Sequence, residues 1–149
     1  MTTALSNLQA ALARAAAVRP QVGGFPYLAE ALRQAGVRHC GMAVPSNAML
    51  YLTDAGPVAV QGEPLISGMT EVMPFDREAL VAALRADQAG ETAFPEFVRG
   101  CWRAGVVRYD VDLTARTCTY YGADGDHYTE SYPGVEIRGI AAAHARALS

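Results

Sequence analysis

Phe25, Leu28, Ala29 and Leu32 recur at the i, i+3, i+4, i+7 spacing that places apolar side chains on one buried face of a helix, and Phe94, Phe97, Val98 and Cys101 repeat the stripe. Each stripe opens on Phe-Pro and closes on Ala-Gly. Proline suits a first helical turn, where its missing N–H has no intrahelical acceptor, and glycine can take the left-handed conformation that ends a helix. Sliding the chain by 69 positions superimposes Phe25, Pro26, Ala35, Gly36 and Val37 on Phe94, Pro95, Ala104, Gly105 and Val106 without a gap. Shared helix-to-strand rules also produce such a match, so common origin and convergence both stay open.

After each glycine the period shifts towards two. "VRHCGMAV" from 37 and "AMLYLT" from 48 read as one hairpin, and "VVRYDVD" from 106 and "RTCTYYG" from 116 as another. A third strand is expected around Val58 to Val60 and around His127 to Tyr132. Asp124-Gly125 has the composition of a type I′ hairpin turn, whose two central residues both need positive φ. Upstream of each unit lies a further helix. Over residues 6 to 18, Ser6 and Gln9 have capping-box spacing and Leu5, Leu8 and Leu12 form a stripe; in the second unit Asp76 is placed as N-cap and Phe75 as a staple onto Leu80.

These elements predict an α+β fold. One domain spans 1–135, with pseudo-repeated helix-helix-strand-strand-strand units at 5–62 and 75–132. A linker at 63–74 is expected to add an edge strand, and 136–149 reads as a tail with a short helix or fraying end. At 149 residues the chain is one domain long.

Composition narrows the chemistry. All 12 basic residues are arginine, which excludes chemistry that needs a lysine amine, such as a Schiff base or a P-loop lysine. The net charge is -3 with no basic run, so nucleic acid is not an expected partner. No apolar run approaches the roughly 18 residues that span a bilayer, and the amino terminus lacks an export signal, so a cytoplasmic setting without membrane partner is expected. Cys40, Cys101 and Cys118 are odd in number and lack metal-knuckle spacing, which favours reduced thiols.

The stretch "TAFPEFVRGCWRAGVVRYDVDLTARTCTYYGADGD" resembles the signature of an uncharacterised bacterial family often labelled "phage envelope protein", which includes YdfO-like and YbcV-like proteins. Phe94, Ala104, Gly105, Val106, Asp112, Thr117, Cys118, Tyr120, Tyr121 and Gly125 carry the likeness. Position 109 is aromatic in that pattern, and Tyr109 stands there. The resemblance implies a fold and a cytoplasmic setting, and no activity.

Candidate chemistry gathers in the second unit. Tyr109, Tyr120 and Tyr121, with Trp102, are candidate ligand contacts, although aromatic residues in strands are equally accounted for by cross-strand packing. Tyr120 and Tyr121 point to opposite faces, and whichever is exposed is the preferred contact. Cys118 and His127 fall on neighbouring strands and are the candidate catalytic dyad, with core packing as the plainer role for the cysteine. Arg99, Arg103 and Arg108 could cradle an anion, or simply be solvated. Asp110, Asp112, Asp124 and Asp126 lack the closing glutamate of a calcium loop, and no metal or cofactor is expected. The sequence thus points to a noncatalytic accessory or regulatory module that binds a small molecule or protein partner in the groove between its halves, and homodimer formation is compatible with it. The competing readings are a Cys/His-dependent, hydrolase-like enzyme and a phage-related structural or assembly protein.

Overall fold

The structure is a computed structural model that describes residues 3–137. Two helices, α1 (Thr3–Val18) and α2 (Phe25–Gln34), lead into strands β1 (Val37–Ala43), β2 (Ala48–Thr53) and β3 (Gly56–Gln61). The order then recurs as α3 (Arg77–Gln88), α4 (Phe94–Arg103), β4 (Val106–Asp112), β5 (Thr117–Gly122) and β6 (His127–Ser131). All six strands join one antiparallel sheet in the order β3-β2-β1-β4-β5-β6, so the halves meet edge to edge at β1 and β4. The fold is α+β, as the hydrophobic pattern predicts.

Local signals explain the helix limits. Pro26 and Pro95 sit in the first turns of α2 and α4, and both helices run into a glycine with positive φ, Gly36 at 92° and Gly105 at 83°. Asp76 caps α3, its side chain accepting a hydrogen bond from the Ala79 N–H at 3.0 Å. By contrast, α1 begins at Thr3, so Ser6 lies inside the helix and the expected capping box is not its start. An alanine- and leucine-rich run favours helix on both sides of the serine.

Two further expectations are corrected, and a third lies mostly outside the described residues. Residues 63–74 form no strand; Leu65 makes a single backbone bond to Pro45, and the rest runs as irregular chain to the cap of α3. The β5–β6 connection is not a type I′ turn, because Gly125 alone has positive φ there and the loop is closed by the Gly122 N–H on the Asp126 carbonyl. Most of the tail, 138–149, lies outside the described residues.

The two halves correspond in backbone as well as in order. Positive φ occurs at Gly36, Asn47 and Gly56 in the first half and at Gly105, Arg116 and Gly125 in the second, each pair 69 residues apart. Register breaks fall between Val37 and His39 in β1 and between Val106 and Arg108 in β4, again at matching positions. Gly41 pairs across the β1–β4 junction with Asp110, its own counterpart, and Gln21 bonds the carbonyl of Gly90, its own counterpart, on the helical side. A local two-fold axis therefore passes through the centre of the sheet and the helix-connecting loops.

The helices cover one face of the sheet. Their apolar stripes, with Leu8, Leu32, Leu80, Leu84, Phe97 and Val98, pack against Val37, Cys40, Met42, Val106, Tyr109 and Val111. Burying a side chain of this size stabilises the fold by roughly 1.5 to 3 kcal/mol. Among the described residues no helix lies over the other face, and Leu50 and Leu52 are exposed there.

Candidate functional site

On the covered face two cross-strand rows lie side by side at the junction of the halves. Tyr51, Cys40, Val111 and Cys118 are in register in one row, and Met49, Met42, Tyr109 and Tyr120 in the other. The 69-residue correspondence exchanges the rows: Tyr51 and Cys40 answer to Tyr120 and Tyr109, Met42 and Met49 to Val111 and Cys118. Above them α2 contributes Phe25, Leu28 and Leu32, α4 contributes Phe94 and Phe97, and α3 contributes Leu84. Between floor and cover is a cavity of about 140 Å³.

The cavity exists because the halves differ in side-chain size on the axis. Cys40 stands where the second half has Tyr109, and Leu28 where it has Phe97. In the second half the rings pack on one another: the centroids of Tyr109 and Tyr120 are 5.3 Å apart, and Phe97 meets them edge-on at 6.5 and 6.4 Å. Phe25 and Tyr132 form a further edge-to-face pair at 5.1 Å.

One side of the cavity is polar, where the end of α3 approaches β6. Arg19, Asp87, Gln88, Glu130 and Ser131 line it. Glu130 is engaged by Arg85 at 2.5 Å. Asp87 has no cation within ion-pair distance among the described residues; its half-buried position raises its pKa, opposed by the field of Arg19.

Burial governs the other titrating groups. The thiols of Cys40, Cys101 and Cys118 are each pushed up to about 12, so all three are protonated at neutral pH. Tyr51 is likewise raised to about 12, and Tyr109 and Tyr120 lie well above the ordinary phenol value, again through desolvation. These phenols act as neutral aromatic walls.

The expected site residues therefore separate. Tyr109 and Tyr120 line the cavity. Tyr121 is on the opposite, open face, where the Arg108 guanidinium lies 3.7 Å from its ring centroid; it is the more exposed of the neighbouring tyrosines and has no part in the cavity. Trp102 is half-buried against the core outside the cavity lining. Cys118 and His127 do not meet: Cys118 pairs with Glu130 and faces the helices, whereas His127 pairs with Tyr121 on the open face. A strand's alternation puts a whole sheet between thiol and imidazole. Nor do the three arginines converge, since Arg108 lies on the open face, bonded to Asp110 at 2.7 Å, while Arg99 and Arg103 belong to α4.

Asp112 accepts the Thr114 and Ala115 N–H groups and so orders the β4–β5 loop, with His39 at 3.7 Å. Among the described residues no group of three His, Cys, Asp or Glu could hold a metal, and no helix is long and apolar enough to cross a membrane. Sequence reasoning missed Cys40, Leu28 and Asp87 as cavity residues. A signal for Cys40 was present: it is a buried position where the superimposed halves differ by a whole aromatic ring, Cys40 against Tyr109.

A family model described as "Protein of unknown function (DUF1398)" matches residues 15–131. Uncharacterized proteins of Mycobacterium tuberculosis and Mycobacterium bovis are each 56% identical to this chain over 139 residues, covering 93% of it and 85% of the relative.

Proposed function

The chain belongs to the DUF1398 family, whose function is unknown, and from that premise we propose that it is a noncatalytic accessory module that takes a small, largely apolar ligand between its two halves. The observation that carries this reading is the cavity of about 140 Å³ floored by Cys40, Tyr109, Val111 and Tyr120 and covered by Leu28 and Phe97. Apolar walls with a few convergent polar groups are the usual make-up of a small-molecule site. The noncatalytic character is supported by thiols too basic to be nucleophiles and by the sheet between Cys118 and His127. We read the two halves as copies of one ancestral unit, a view supported by the matched positive-φ positions, with the cavity arising where the copies diverged in size.

Leu28→Phe, which installs the residue of the second half, tests the site. A ligand found by thermal-shift screening and present at about 100 times its Kd stabilises the protein by about 2.7 kcal/mol, or several degrees in Tm. The expected result is a shift of that size in the unaltered protein that is lost in Leu28→Phe. Ligands that shift both proteins equally, or a screen without any hit, would overturn the reading.

A further inference from the structure

We infer that the ligand is a monocyclic aromatic amine bound as its ammonium ion, with the ring between Cys40, Leu28 and the Tyr109/Tyr120 wall and the ammonium at Asp87. This rests on the cavity being the ligand site.

Size sets the first part. An engineered apolar cavity of about 150 Å³ holds benzene, and the space here is about 140 Å³, room for one six-membered ring. The divergence of the halves agrees, because Cys40 lacks the ring that Tyr109 carries at the matching position. A ligand ring at this place would restore the aromatic contacts that Tyr109, Tyr120 and Phe97 make with one another at 5.3 to 6.5 Å.

Charge sets the second part. Of the two carboxylates on the polar side, Glu130 is already held by Arg85 at 2.5 Å. Asp87 has no such partner among the described residues, and it is half withdrawn from water. A desolvated carboxylate gains most from a cation that replaces its lost hydration. Aromatic faces carry negative quadrupole density, so the walls also favour a cation near them over an anion. The cation at the rim, Arg19, is packed along the chain at Gly24, where a Cβ on that glycine would lie 3.0 Å from its Nε. It lines the space as well and acts on Asp87 through its field, without forming an ion pair with it.

Three probes of one shape separate the possibilities: 2-phenylethylammonium, 2-phenylethanol and phenylacetate, titrated by calorimetry into the full chain. The expected order is ammonium first, about tenfold tighter than the alcohol, which corresponds to one charge-assisted contact, with phenylacetate weakest. Asp87→Asn is expected to remove that tenfold advantage and leave the alcohol within twofold, and Leu28→Phe to abolish all three. Should the Asn variant fail to fold, lowering the pH into the carboxylate range must weaken the ammonium and spare the alcohol in the unaltered protein. If the alcohol or phenylacetate binds as tightly as the ammonium, or if neither Asp87→Asn nor acid changes the preference, the inference about charge is overturned and the cavity remains a ligand site. If none of the three binds, the cavity reading itself fails.

Discussion

Two residues show how much one position can hold in place. Gly105 has φ 83°, and a Cβ added to it would come within 2.5 Å of the Pro74 carbonyl oxygen and 2.6 Å of that of Met73. Its counterpart Gly36, at φ 92°, would meet only the Asp54 carboxylate at 3.3 Å. Left-handed backbone costs an L-residue about 1 to 2 kcal/mol in either place, but the overlap with rigid backbone is confined to Gly105. Urea denaturation should therefore show Gly36→Ala losing about 1 to 2 kcal/mol and Gly105→Ala about 3 kcal/mol or more. Equal losses would mean that the 63–74 segment yields without resistance. Glu30 is the buried charged residue of the helical layer, bonded by Arg33 at 2.8 and 2.7 Å and by Gln34 at 2.8 Å. The Arg33 hydrogen bond holds its pKa below the ordinary 4.5 despite burial. A carboxylate depressed by folding contributes stability that is fully present above 4.5 and is lost as pH falls through the folded value. Glu30→Gln should accordingly cost about 1 to 2 kcal/mol at pH 7, and the gap to the unaltered protein should close in acid. A gap independent of pH would show that shape, not charge, is what matters at this position.

At the scale of elements, the four helices differ in how they start. Of α2, α3 and α4, α3 has a side-chain N-cap acceptor, Asp76; α2 starts at Gly24 without one, and α4 has the Glu96 carboxylate reaching back to the Ala93 N–H at 3.3 Å. Asp76→Ala should cost about 1 kcal/mol in thermal or urea unfolding, and Asp76→Ser should recover most of it. A neutral Asp76→Ala would mean that the Asp76 N–H bond to the Ala104 carbonyl, which survives substitution, is enough to anchor the helix. The starts and stops of α2 and α4 and the alternation of β4 and β5 were legible because each is written within about ten residues. The start of α1 was not: helix propensity runs through Ser6, and no local signal outweighs it. The 63–74 segment was misread for a related reason. Its apolar residues resemble a strand, but the segment pairs with no strand, and Gly68 takes φ 70° with Met69 fully exposed beside it.

Over the whole molecule, three strands and two helices in each half leave β1 or β4 as an unpaired edge, with apolar side chains such as Val37, Cys40, Val106, Tyr109 and Val111 facing a cover that both halves build. Units of about 70 residues with an open edge bury too little to stand alone. Cleavage at the exposed Gly68-Met69 step should give fragments 1–68 and 69–149 that show no cooperative unfolding separately and regain it on mixing. Fragments that each fold as stable monomers would show that the junction is an interface between finished domains. The ligand cavity belongs to this scale as well. It lies on the axis between halves, and neither half contains it.

By itself the sequence determined the four helices and the six strands, because helix caps, glycine stops and side-chain alternation act over one or two turns of chain. It also placed Tyr109 and Tyr120 among the candidate contacts. Tertiary structure alone decided that β1 pairs with β4 in a register centred on Gly41 and Asp110, and hence which faces come together. Alternation along β5 and β6 put Cys118 and His127 on opposite faces and left Tyr121 on the open one, while the packing of both halves brought Cys40, Leu28 and Asp87 to one cavity that Trp102 does not line. Contacts between residues some 70 positions apart depend on strand order and register, and a one-residue slip would turn every side chain to the other face.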